Sequence, residues 1–125
     1  MRFFILLTLI LTFSVLNAQD QLIAKAFNSL DHTSITQYFD ANLEIVTADA
    51  NGMYSKQQAT QIMKSFFAAN PPSNYTQKHK GGSASRSYFE IGELVCGERK
   101  FRTYLLYNLV QEKPQIIELR IEIED

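Results

Sequence analysis

The chain has very little sulfur chemistry to offer. Among its 125 residues there is one cysteine, Cys96, so no intrachain disulfide can form. The only histidines are His32 and His79, and with a single thiol they speak against a His/Cys metal site. Tryptophan is absent, and proline and glycine are sparse, at 3 and 5. There is no excess of either charge: 12 Lys and Arg stand against 13 Asp and Glu, for a net −1. A general nucleic-acid binder is basic, so this balance speaks against that class. It also gives no motive for a membrane-surface role. No Gly-x-Ser-x-Gly elbow, phosphate loop or dinucleotide fingerprint occurs, and nothing calls for a cofactor.

The one long apolar run lies at the start. Met1-Arg2 is followed by an uncharged stretch from Phe3 to Leu16, then Asn17-Ala18-Gln19-Asp20. A short basic start, an apolar centre and a small residue before polar chain is the layout of a secretory signal. A membrane span needs roughly 20 apolar residues; this run is shorter and contains Thr8, Thr12 and Ser14. The pattern predicts a signal peptide over 1–18, cleaved after Ala18, and export to the periplasm or beyond. No cysteine follows the run to carry a lipid. Residues 19–125 then make a single domain, large enough for a core of its own.

Residues 21–30 place Leu22, Ile23, Ala26, Phe27 and Leu30 at helical spacing. Asp31 is placed to cap a second, shorter helix carrying Ile35, Tyr38 and Phe39, which Asp40-Ala41-Asn42 would break. Leu43, Ile45 and Thr47 alternate with Glu44 and Val46, a strand pattern. Asn51-Gly52 signals a turn. Ser55 with Gln58 is a capping box, opening a helix whose stripe is Ala59, Ile62, Met63, Phe66 and Phe67. Pro71-Pro72 ends it.

From Tyr75 the period becomes two. Four strands are predicted over 75–81, 86–96, 99–110 and 115–124, with turns at 81–85, 97–98 and 111–115. Such short connections predict antiparallel hairpins. In the last strand Ile117, Leu119, Ile121 and Ile123 alternate with Glu118, Arg120, Glu122 and Glu124. The order predicts an α+β fold in which N-terminal helices cover one face of a curved antiparallel sheet.

On this element order the chain resembles the nuclear transport factor 2-like superfamily. The residues that carry the likeness are Ala26-Phe27, Tyr38-Phe39-Asp40, Tyr54-Ser55-Lys56-Gln57-Gln58-Ala59 and Phe66-Phe67. With the leader, His79-Lys80-Gly81, Tyr88-Phe89-Glu90-Ile91-Gly92 and the final Ile-Glu alternation, it is similar to a family of exported bacterial domains of unknown function. The likeness implies a cone-shaped fold, and no activity follows from fold alone.

In isomerase-type members of the superfamily the cone holds a carboxylate base and a hydroxyl or acid donor. The resemblance implies Asp40, Glu90 and Glu93 as candidate carboxylates and Tyr38, Tyr88, Tyr104 and Tyr107 as candidate donors. If Phe89, Ile91 and Val95 face inward, Glu93 joins them and Glu90 faces out. Phe101, Leu105, Tyr107 and Leu109 share a face, so Glu93 with Tyr107 is the expected pocket pair. The plainer account is a solvated strand-end acid and a core tyrosine. Lys78, His79 and Lys80 form a candidate site for an anionic ligand, or simply an exposed strand end entering a turn. Cys96 reads as a partly buried free thiol.

Arg102, Tyr104, Leu106, Asn108 and Val110 would line the outer sheet face, where Tyr104, Leu106 and Val110 are too apolar for a fully solvated surface. Members of the superfamily pair sheet to sheet, which implies a homodimer through this face. The leading expectation is an exported, non-catalytic module that binds a ligand or a protein. The alternatives are a small isomerase, cyclase or hydratase working without a cofactor, and an envelope-maintenance factor acting through protein contacts.

Overall fold

The computed structural model describes residues 22–82 and 87–124. The predicted leader and the middle of the turn at 81–85 lie outside the described residues. Helices α1 (Leu22–Asn28) and α2 (His32–Thr36) come first. Strands β1 (Phe39–Val46) and β2 (Asn51–Ser55), helix α3 (Lys56–Ala69) and strands β3 (Asn74–Gly82), β4 (Ser87–Cys96), β5 (Arg99–Val110) and β6 (Lys113–Ile123) follow. The strands form one curved, unclosed sheet in the order β2-β1-β6-β5-β4-β3. The helices cover one face of it.

Both predicted helix starts are built as read. Asp31 caps α2, accepting from the Ser34 amide at 2.9 Å. The box at α3 is closed on both sides: the Gln58 amide donates to Ser55 Oγ at 3.2 Å and the Ser55 amide to Gln58 Oε1 at 3.0 Å. Ala59, Met63 and Phe67 point into the core.

The strand reading needs four corrections. The sheet is mixed and not wholly antiparallel, because β1 runs parallel to β6. The second helix ends at Thr36, before Tyr38 and Phe39, and Asp40-Ala41-Asn42 is not its breaker; with Phe39 these residues lie within β1, where the register against β6 shifts between Phe39 and Glu44. Asn51-Gly52 opens the short strand β2, and the reversal precedes it: the Thr47 amide donates to Ala50 O at 2.7 Å, while Thr47 Oγ1 accepts from the Asp49 and Ala50 amides. The β5–β6 turn is only Gln111-Glu112, both in the left-handed region at φ 52° and 66°. That is the twist a two-residue hairpin requires, and Pro114 is consequently part of β6.

A bulge alters the inner face of β6. Leu106 opposes Glu118 while Tyr107 opposes Ile116, so Ile117 is the extra residue. Ile116, Leu119 and Ile121 are therefore the buried set, Ile117 is half-buried, and Ile123 is exposed. The core lies between this face and the helices, with Ile23, Phe27, Ile35, Leu43, Met63 and Leu105 almost wholly buried.

Candidate functional site: an interior carboxylate and an outer sheet face

Burial along β4 alternates, and its phase is opposite to the expectation. Glu90, Gly92, Leu94 and Cys96 are buried, whereas Phe89, Ile91, Glu93 and Val95 are half-buried on the other side. Glu90 is thus the interior acid, at 1% exposure. Glu93 and Tyr107 stand on opposite faces of the sheet and form no pair. The cause is Gly92. A Cβ at Gly92 would overlap the ring of Tyr75, so the missing side chain leaves room for a tyrosine from the neighbouring strand.

Tyr75 is 3% exposed and stacks on Phe27, ring centres 4.5 Å apart and 14° from parallel. Its hydroxyl donates to Glu90 Oε2. Gln77 Nε2 donates to the other oxygen, Oε1, at 2.7 Å. Burial pushes the Glu90 carboxyl up from its ordinary range; the bonds from Tyr75 and Gln77 and the charge of Lys80 act against it. Burial and the adjacent carboxylate push the Tyr75 phenol up as well. Thr103 Oγ1 lies near the Tyr75 hydroxyl, but it is buried without a hydrogen bond of ordinary geometry among the described residues.

A catalytic base must turn an open lone pair toward substrate. Both Glu90 oxygens are held by neighbouring side chains, and Phe27 covers the tyrosine that holds one of them. Chemically this cluster ties edge strand β3 to β4 and α1.

The other candidate residues are dispersed. Tyr107 is buried and stacks on Tyr88 at 5.6 Å and 20°. With Lys80 and Gly82 these rings line a recess of about 210 Å³. Tyr38 is half-buried against the core, and its carbonyl accepts from the Ile116 amide at 2.7 Å. Asp40 is half-buried near the start of β1. Lys78, His79 and Lys80 are exposed on β3 and do not converge: Lys78 is the extra residue at a register shift, His79 opposes Ile91, and Lys80 opposes Glu90. Cys96 is buried, which raises its thiol pKa and leaves it a poor nucleophile. Among the described residues no cluster of three or more His, Cys, Asp or Glu could hold a metal ion. No described helix is long and apolar enough to cross a membrane.

The outer face is different. Phe89, Ile91, Tyr104 and Leu106 stand there half-buried, with Phe89 opposite Leu106 and Ile91 opposite Tyr104. Charges surround them. Arg120 Nε pairs with Glu118 Oε1 at 2.5 Å and its Nη2 with Glu44 Oε1 at 3.5 Å. Arg102 lies between Glu93 and Glu122 in the register, and among the described residues it forms no ion pair. Arg102, Tyr104, Glu118, Arg120 and Glu122 line a shallow depression of about 410 Å³. Val110 stands apart at the hairpin tip, on the rim of a cleft it shares with Leu22, Tyr38 and Pro114.

The model of a domain of unknown function, DUF4783, matches residues 21–122. The chain belongs to the DUF4783 family. It is similar to the crystal structure of a DUF4783 protein from Bacteroides uniformis, at 23% identity and a TM-score of 0.76, covering 84% of this chain and 96% of that one. A DUF4783 protein from Bacteroides ovatus is similar at 26% identity and TM-score 0.76, covering 83% and 94%. A putative ketosteroid isomerase from Parabacteroides distasonis shares 12% identity with TM-score 0.67 over 84% of each chain; at that identity the likeness is one of fold alone. No curated protein matches. DUF4783 thus has the nuclear transport factor 2-like α+β cone, as the element order implied.

The residues that sequence reasoning missed are Tyr75, Gln77 and Thr103. Their one signal was Gly92, a glycine in the middle of a strand, which marks a close approach by a neighbour.

Proposed function

We propose that this DUF4783 chain is an exported, non-catalytic interaction module that pairs with a second copy of itself through the outer face of the sheet. The observation that carries this reading is the composition of that face. Phe89, Ile91, Tyr104 and Leu106 supply an apolar centre, and both signs of charge surround it, with Arg102 between Glu93 and Glu122 in the register. A two-fold interface presents the same patch twice and must be complementary to itself. A patch holding both signs around an apolar centre meets that condition. The interior supports the non-catalytic part, since Glu90, the buried acid among the described residues, has a hydrogen bond to each oxygen. Export rests on Arg2, the run Phe3–Leu16 and Ala18.

The test is sedimentation velocity on protein recovered from an exporting host, with Leu106→Asp beside the parent. The expected result is a parent dimer and a monomeric variant with an unchanged circular dichroism spectrum. A parent that stays monomeric at high concentration removes the reading. The N-terminal sequence of the same sample tests export, with Gln19 expected first.

A further inference from the structure

The apolar stripe of α3 is wider than the core it covers. Ala59, Met63 and Phe67 are buried, but Ile62 and Phe66 on the same stripe are only half-buried. Phe66 meets Phe101 edge to face, ring centres 5.2 Å apart and 73° between planes. Ile123, the β6 partner of Phe101, is 59% exposed. These side chains line a cleft where α3 ends beside the β1–β2 turn. It has two lobes of about 420 and 370 Å³ that share Thr47, Asp49, Phe66 and Asn70. Each lobe falls within the size range of small-molecule sites, about 300–1,000 Å³.

Among the described residues, three charged groups line the rim. Glu122 reaches the other face of the sheet, where it interacts with Arg120. Asp49 is carried, exposed, on the β1–β2 turn. Arg99 is held in place: its Nη1 donates to Asn70 Oδ1 at 3.3 Å, and Asn70 Nδ2 donates to the Phe66 carbonyl at 3.1 Å. Asn70 thereby ties the guanidinium to the end of the helix that supplies the apolar wall. Arg99 makes no ion pair among the described residues. A guanidinium with spare N–H groups is matched by a carboxylate, which it can grip with two parallel bonds.

We propose that this cleft binds an aliphatic carboxylate, with its chain against Phe66, Phe101 and Ile123 and its head on Arg99. Contact with the rings favours an apolar tail, and the anchored cation selects the sign of the head. The site is separate from the outer face; only the rim residue Glu122 belongs to both. A monomeric Leu106→Asp protein therefore retains it.

The experiment is a nuclear magnetic resonance titration of isotope-labelled protein from an exporting host. Decanoate is the probe, with acetate and decylamine as controls. Saturable shifts at Phe66, Asn70, Arg99 and Ile123 are expected with decanoate, and weaker binding by both controls. Arg99→Gln, at an exposed position, should weaken decanoate about tenfold, the loss of one charge-assisted pair, and should abolish the preference over decylamine. Shifts centred instead on Tyr88 and Tyr107, equal binding of decylamine by the parent, or an unchanged affinity in Arg99→Gln would each overturn the assignment.

Discussion

Glu90 sits where a carboxylate is expensive. It is 1% exposed, and its charge is offset by the Tyr75 hydroxyl, the Gln77 amide and the field of Lys80. Burial dominates, so the folded chain holds this proton to higher pH than the unfolded chain, whose ordinary value is 4.5. The sign follows from linkage. Between that value and the raised one the folded state binds more protons, so this group's contribution to stability falls as pH rises. Asp31 acts in the opposite sense: hydrogen bonds from Thr33 and Ser34 lower its pKa, so its contribution is lost as pH falls. The expected outcome for Glu90→Gln is loss of the first dependence alone. The melting temperature of the parent, taken relative to the variant, should decline from pH 4.5 toward neutrality. A difference that does not change with pH would show that Glu90 does not titrate in that window. Gly92 is the other half of this geometry. Gly92→Ala should cost about 1–3 kcal/mol in urea unfolding, as for other overpacked interiors, because the new methyl meets the Tyr75 ring. The misplaced phase of β4 is explained at this scale too. Apolar alternation selected Phe89, Ile91 and Val95 as interior, but the inner face there is Glu90 and Gly92, and their partners come from another strand.

Among the elements α3 was the most legible, because its signals are local. The capping box is a contact between residues three apart, and the stripe repeats every three or four positions. Ser55→Ala should destabilise by about 1 kcal/mol, since it strips an acceptor from the Gln58 amide. Phe67→Ala should cost about 3–5 kcal/mol by leaving a cavity under the helix. Thermal unfolding of the two variants checks both, and an unchanged midpoint for Phe67→Ala would remove it from the core. The hairpins β3–β4, β4–β5 and β5–β6 were equally legible in their pairing. Their details were not. The shift of Ile117 out of the inner face depends on how many residues β5 places opposite it, which β6 does not encode alone. β2 was hidden because five residues with a half-exposed pattern become a strand only by lying against β1.

For the whole molecule, the consequential fact is that the two faces of the sheet are both partly apolar. The inner face is satisfied by the helices. The outer face carries Phe89, Ile91, Tyr104 and Leu106 among charges. Pairing through it would bury these side chains without disturbing the interior, so Leu106→Asp is expected to change mass in sedimentation and leave the melting midpoint of the protomer near that of the parent. An accompanying collapse of the fold would place Leu106 in the protomer core. The cleft beside α3 follows from the same shape. The outermost part of the apolar stripe, Ile62 and Phe66, lines open space.

By itself the sequence determined the helices, the hairpin order and the α+β class, because these depend on period, caps and turns within a few residues of one another. The phase of each strand, the parallel joining of β1 to β6, the enclosure of Glu90 by Tyr75 and Gln77, and the convergence of Arg99 and Asn70 on the α3 cleft were decided only in the tertiary structure. Each of these depends on which residues from distant parts of the chain compete for the same volume, and a linear pattern holds no record of volume.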